Sequence, residues 1–167
     1  MAKITKAHHT GLTVRSLERS IEFYRDVLGF EIVFQWNTRA PYIAELVGYP
    51  TVDLHSAILR IPNSEVFLEL LEYRGVPENF NDMSNGNIGN AHIAFFVDEL
   101  EPLYERLTAL GVKSVSRPVT PTIGPNQGGR AVYVIDPDGF RVELIETKRA
   151  FGDYKSAEVA TARAPGA

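Results

Sequence analysis

The chain has 167 residues, 44% of them hydrophobic and 23% charged, with a formal net charge of −4. That is the length of one domain or two very small ones, and the composition excludes disorder across the whole chain. The slight acidic balance lacks the basic excess of a nucleic-acid or anionic-membrane binder, no run of about 18 apolar residues could span a bilayer, and the absence of cysteine removes disulfides, thiolate metal sites and cysteine nucleophiles together while fitting a reducing cytoplasm.

Taken in order, residues 8–14 alternate as a strand, with Thr10, Leu12 and Val14 on one side and His9, Gly11 and Thr13 on the other. His8 falls on the face opposite His9. Ser16 is a candidate helix N-cap, followed by Leu17, Ile21, Tyr24 and Leu28 at helical spacing and by Gly29 as the stop. Strands are expected at 30–36 and 54–61, separated by a short helical insertion at 39–50 that carries Ile43, Leu46 and Val47. A further strand at 66–71 sets Val66, Leu68 and Leu70 against Phe67, Glu69 and Leu71. Residues 74–89, rich in Asn and Gly, read as a linker.

The second half repeats the plan. A strand at 92–97 opposes His92, Ala94 and Phe96 to Ile93, Phe95 and Val97, and a helix at 99–110 stops at Gly111. A strand at 112–117 leads to a long loop ending Gly124-Pro-Asn-Gln-Gly-Gly129; loops of such length in compact domains are often functional. Strands at 130–136 and 141–145 are joined by the turn Asp136-Pro-Asp-Gly139. Residues 148–167 show no period and read as a mobile tail.

The repeat is visible in two alignments. His9-Thr-Gly-Leu-Thr-Val14 matches His92-Ile-Ala-Phe-Phe-Val97 at an offset of 83, and Glu65–Glu72 matches Gly139–Glu146 at an offset of 74. The more uniformly apolar face of each strand should pack on helices. The other face carries His9, Glu69, His92 and Glu143, and charge on such a face costs free energy unless it is paired or metal-bound. A two-fold pseudo-repeat would gather two imidazoles and two carboxylates, a donor set that suits Zn, Ni, Co, Mn or Fe(II) with positions left for water or substrate. Glu72 and Glu146, close by on the same strands, fall on the other side of the pleat or at the strand end and read as solvated. His55 lies in a strand and is read as structural.

The sequence resembles the vicinal oxygen chelate superfamily, which includes glyoxalase I, methylmalonyl-CoA epimerase, extradiol dioxygenases and fosfomycin- and bleomycin-resistance proteins. The stretches that carry the resemblance are His9-Thr-Gly-Leu-Thr-Val14, Leu17–Phe30, His92-Ile-Ala-Phe-Phe-Val97 and Asp136–Glu146. Together they cover roughly residues 4–147. The resemblance implies an α+β fold of two βαβββ modules, at 4–73 and 90–147, whose sheets curl around a metal-binding cleft. It places the four metal ligands on His9, Glu69, His92 and Glu143. It also implies a homodimer, and the modules could pair within one chain or across two copies.

Within the superfamily, Glu69 fills a fourth ligand position, as in glyoxalase I and the epimerases, where extradiol dioxygenases use two His and one carboxylate. Glutathione-binding features look absent, because Tyr73 replaces an Asn after the Glu-bearing strand and Ile88 replaces an Arg four residues before His92. The overall likeness is to an epimerase-like subgroup that includes a cyclitol epimerase, through Tyr42–Pro50, Glu69-Leu-Leu-Glu-Tyr73 and Gly124–Arg130. The implied activity is a metal-dependent isomerase, epimerase or lyase acting on a small molecule, with Glu143 and Glu69 as catalytic carboxylates and Arg130, Gln127 and Tyr73 as substrate contacts. The alternatives are a lactoylglutathione lyase, an extradiol-type dioxygenase and a non-catalytic protein that sequesters a small molecule such as an antibiotic.

Overall fold

The computed structural model describes residues 2–148; the segment 149–167, which covers almost all of the expected tail, lies outside the described residues. The chain divides after Asn81 into two units. In the first, β1 (His9–Thr13) leads to α1 (Leu17–Ile21), then β2 (Glu31–Thr38), α2 (Pro41–Val47), β3 (Asp53–Arg60) and β4 (Phe67–Arg74). In the second, β5 (His92–Phe96) is followed by α3 (Leu100–Ala109), β6 (Lys113–Ser114), β7 (Arg130–Ile135) and β8 (Arg141–Glu146). The sheet orders are β1-β4-β3-β2 and β5-β8-β7-β6. In both units the first strand runs parallel to the last, and the remaining pairs are antiparallel. The two open, mixed sheets with one helix each at equivalent positions are the α+β architecture expected from the repeat.

Alternation decides which face is core. Leu59, Leu68 and Leu70 are fully buried in the first unit, as are Val142 and, almost entirely, Leu144 in the second. Each such side chain removed from water contributes about 1.5–3 kcal/mol. α1 contributes Leu17, Ser20 and Ile21 to the first core, and α3 contributes Leu100 and Leu107 to the second. The Ser16 side chain accepts from the Arg19 amide, as its N-cap position requires. The expected single helix at 16–28 is instead five α-helical residues continued by a π-helical stretch, Glu22–Val27, in which the Leu28 amide donates to the Phe23 carbonyl. Periodicity alone does not separate these two windings.

Two further details differ from the sequence reading. The strand expected at 112–117 shrinks to Lys113–Ser114, followed by one more bond from the Val115 amide to the Tyr133 carbonyl, and pairing resumes at a bridge between Val119 and Ala131. Glu72 and Glu146 are not simply solvated. Each accepts a hydrogen bond at 2.8 Å from the first backbone amide of its unit's helix, Leu17 and Leu100, so the same carboxylate caps the same helix twice. Such groups complement the unpaired amides and the positive end of a helix. Finally, Gly129 is required by close approach: a β-carbon there would collide with the Glu146 carbonyl and stand 3.2 Å from the Asn126 carbonyl. This fixes how the long loop re-enters β7.

Glu72 links the cap to pH. Burial pushes its carboxyl up, but the Arg74 guanidinium and the Leu17 amide outweigh that, and the net direction is below the ordinary value of 4.5. A group depressed in the folded state stabilises fully above its unfolded value, and that contribution is lost as pH falls through the folded value. Glu72→Ala is therefore expected to cost about 0.5–2 kcal/mol at neutral pH, with the gap to the parent protein narrowing below about 4.5. Urea unfolding at pH 7 and at successively more acidic pH measures it; a gap independent of pH would refute the assignment.

Candidate functional site

Each sheet presents, on the face away from its long helix, one imidazole beside one carboxylate. In the first unit His9 Nε2 lies 3.0 Å from Glu69 Oε2. In the second His92 Nε2 lies 3.3 Å from Glu143 Oε2. The parallel register explains both pairs: Glu69 stands beside Gly11 and Glu143 beside Ala94, each two residues past its histidine on the same face. The small side chains at 11 and 94 leave room. A β-carbon on Gly11 would sit 4.0 Å from both Glu69 Oε2 and His9 Cδ2. The imidazoles are open to solvent, 39% and 49% exposed, while Glu69 and Glu143 are 13% and 19% exposed. The carboxylates are thus held by the sheet and the histidine rings are accessible.

Surroundings differ between the two pairs. His8, though on the opposite side of the pleat, turns its ring so that its Nδ1 lies 2.7 Å from Nδ1 of His9. One of the two must donate, and the contact leaves Nε2 of His9 directed at Glu69. In the second unit, Tyr133 of β7 lies directly opposite Glu143. Its hydroxyl donates to Glu143 Oε2 at 3.2 Å and stands 3.5 Å from His92 Nε2. Burial first, then the Glu143 charge and the hydrogen bond to it, push the phenol up from its ordinary value, so it stays a donor at neutral pH. The sequence reading missed both neighbours. The turn at Asp136–Gly139 signals an antiparallel hairpin, but reflecting Glu143 across its four residues lands on Val132, whereas the ladder sets Glu143 opposite Tyr133.

The three substrate candidates fall in different places. Tyr73 shares the face of Glu69, four residues along β4; burial, then the charges of Glu69 and Tyr49, push its phenol up. The expected insertion is α2, whose Ile43 and Ala44 pack with Val52, Leu54, Leu71 and Tyr73, so this short helix closes one end of the Glu69 face. Arg130 lies on the helix side of its sheet, opposite Glu146, and pairs with Glu101 of α3. Gln127 is exposed in the loop before β7. His55 points to the helix side and pairs with Asp53 at 3.2 Å, near Arg39, which also binds Asp53 and holds its carboxyl below the usual range.

A divalent cation has a chemically suitable partner in each pair. Imidazole nitrogen and carboxylate oxygen are the donors that Zn, Ni, Co, Mn and Fe(II) accept. Within either unit, among the described residues, no third His, Asp or Glu completes a group of three that could hold a metal ion. Each unit therefore offers half of the four-donor set that the repeat implies.

Comparisons with known proteins bear on the fold and the family. The chain is 35% identical over 145 residues to a lactoylglutathione lyase of Salmonella typhimurium, covering 85% of this chain and 93% of that protein. It is 32% identical over 147 residues to a 2-epi-5-epi-valiolone epimerase of an Actinomyces species, covering 83% and 77%. Among solved structures, a glyoxalase family protein from Bacillus cereus shares the fold with a TM-score of 0.76 at 20% identity, over 87% of this chain and 96% of that one. Residues 6–144 match the profile of a single family. The repeated strand–helix–strand plan and the match over most of the chain lead to one conclusion: the chain belongs to the Glyoxalase/Bleomycin resistance protein/Dioxygenase superfamily.

Proposed function

We propose that this protein is a metal-dependent isomerase, epimerase or lyase that removes a proton beside a carbonyl in a small substrate bearing two adjacent oxygens. The observation that carries the reading is the duplicated histidine–carboxylate pair, His9 with Glu69 and His92 with Glu143, on equivalent faces of the two sheets. His9, Glu69, His92 and Glu143 would hold one divalent ion. When bound, such an ion supplies positive charge for the oxygen that becomes anionic as the carbon acid ionises. The chain's own residues do the rest. Glu143 takes the proton from carbon, and Glu69, from the other unit, returns one. Two carboxylates acting on one carbon permit removal from one face and delivery to the other, which epimerisation needs. Tyr73, on the face of Glu69 and packed against α2, borders the substrate. The acidic chain favours neither nucleic acid nor an anionic membrane as partner, and a homodimer is the proposed assembly.

A second reading is lactoylglutathione lyase activity. It is supported by the 35% identity over 93% of the Salmonella enzyme; Tyr73 and Ile88, at positions where the family resemblance puts glutathione contacts, weigh against it. One experiment separates the readings. Metal-loaded protein is incubated in deuterated water with 2-oxo, cyclitol and acyl-CoA compounds and with the methylglyoxal–glutathione adduct, and followed by NMR. Metal-dependent deuterium at a substrate α-carbon supports the isomerase reading, and turnover of the adduct alone supports the lyase. Oxygen uptake with catechols, or tight binding with no exchange on any compound, defeats both.

A further inference from the structure

One difference between the two half-sites lies directly across the ladder from each carboxylate. In the first unit the residue opposite the carboxylate, across the antiparallel ladder from Glu69, is Ile58; in the second, opposite Glu143, it is Tyr133. Directly opposed residues on one face lie close enough to interact, so this position decides what the carboxylate meets. Ile58 has no donor to offer. Tyr133 offers two contacts at once. Its hydroxyl donates to Glu143 Oε2 at 3.2 Å, longer than the span of about 2.5–3.0 Å usual for an O–H···O bond. Its ring meets the His92 imidazole edge-on, with centroids 5.3 Å apart and planes at 87°. This is the arrangement aromatic pairs favour.

We infer that Tyr133 is a positioning residue: one side chain fixes both donors of the second half-site, the carboxylate through its hydroxyl and the imidazole through its ring, a restraint that Ile58 cannot supply in the first half-site. The inference rests on the metal-site reading above. Its physical content is preorganisation. Partners that orient metal ligands typically change metal affinity about 10–100-fold when removed. Because the hydroxyl meets Oε2 and not the carbon skeleton, it restrains carboxylate rotation, which the sheet backbone cannot do. The two carboxylates are then inequivalent in freedom despite their equivalent positions in the repeat.

Tyr133→Phe isolates the hydroxyl, because the ring and its contact with His92 remain. Co(II) affinity of the parent and the variant is measured by competition with a chromophoric chelator, and the visible spectrum of the bound Co(II) reports its coordination. Ile58→Leu, at the matching position of the first unit, is the control. The expected result is a fall of about 10–100-fold in affinity and shifted Co(II) bands for Tyr133→Phe. Far-UV circular dichroism should stay unchanged, and Ile58→Leu should leave both metal readouts as in the parent. Affinity within two-fold of the parent and an identical spectrum in Tyr133→Phe would overturn the inference alone. Failure of the parent protein itself to bind Co(II) would overturn the metal-site reading and this inference with it.

Discussion

Replacing His9 and His92 together by alanine is expected to abolish binding of a divalent ion while leaving the fold intact. The two imidazoles are surface-accessible and contribute nothing to the buried cores, which are built from the opposite faces of the sheets. Their loss leaves two isolated carboxylates, poor ligands for the later first-row metals that imidazole suits. Each single substitution should lower affinity by more than the roughly 10–100-fold typical of removing an outer partner. The single variants also count the sites. If the four donors serve one ion, the parent binds one per set and His9→Ala and His92→Ala weaken the same event. If each unit binds independently, two weak ions bind and each variant loses one. Equilibrium dialysis with metal analysis distinguishes these outcomes. A double variant that retains metal with the affinity of the parent would remove the assignment altogether.

Glu143→Gln should reduce deuterium incorporation at the substrate α-carbon by about 10²–10⁴-fold, the usual contribution of a positioned general base. Gln keeps the shape of the side chain and an oxygen that can accept from Tyr133, so the change removes the proton-accepting charge with little disturbance to packing. Glu69→Gln is the informative companion. With the first carboxylate intact, the proton should still leave and return on the same face. Exchange should therefore survive while net epimerisation falls. Metal content measured beside activity separates lost chemistry from a lost ion. Equal exchange in Glu143→Gln and the parent would place the base on another residue.

Much of the architecture was legible before any coordinates. The offset between His9 and His92, and between the Glu69 and Glu143 strands, encodes two copies of one plan, and both sheets share one order and one set of strand directions. Period-two alternation carried the core as well, because a strand buried on one face must alternate: Leu68, Leu70, Val142 and Leu144 are all buried as that pattern requires. Where the reading failed, the competing interaction was local and specific. The strand expected at 112–117 keeps its ladder only at Lys113–Ser114, and the winding of Glu22–Val27 depends on which carbonyl each amide reaches.

What the sequence by itself determined about this protein is therefore its repeat, its main strands and helices and the residue types on each strand face, since all three follow from periodicities that act along the chain. Tertiary structure alone decided which neighbours those residues acquired. Glu72 and Glu146 became helix caps because parallel pairing brings the end of the last strand beside the first turn of the helix. Arg130 was drawn to Glu101 because its strand position faces α3. Tyr133 came to hold Glu143 because an antiparallel register sets them opposite each other across a hairpin. These are contacts between residues separated in the chain, and their geometry is set by register and packing, for which no local pattern of residues carries a signal.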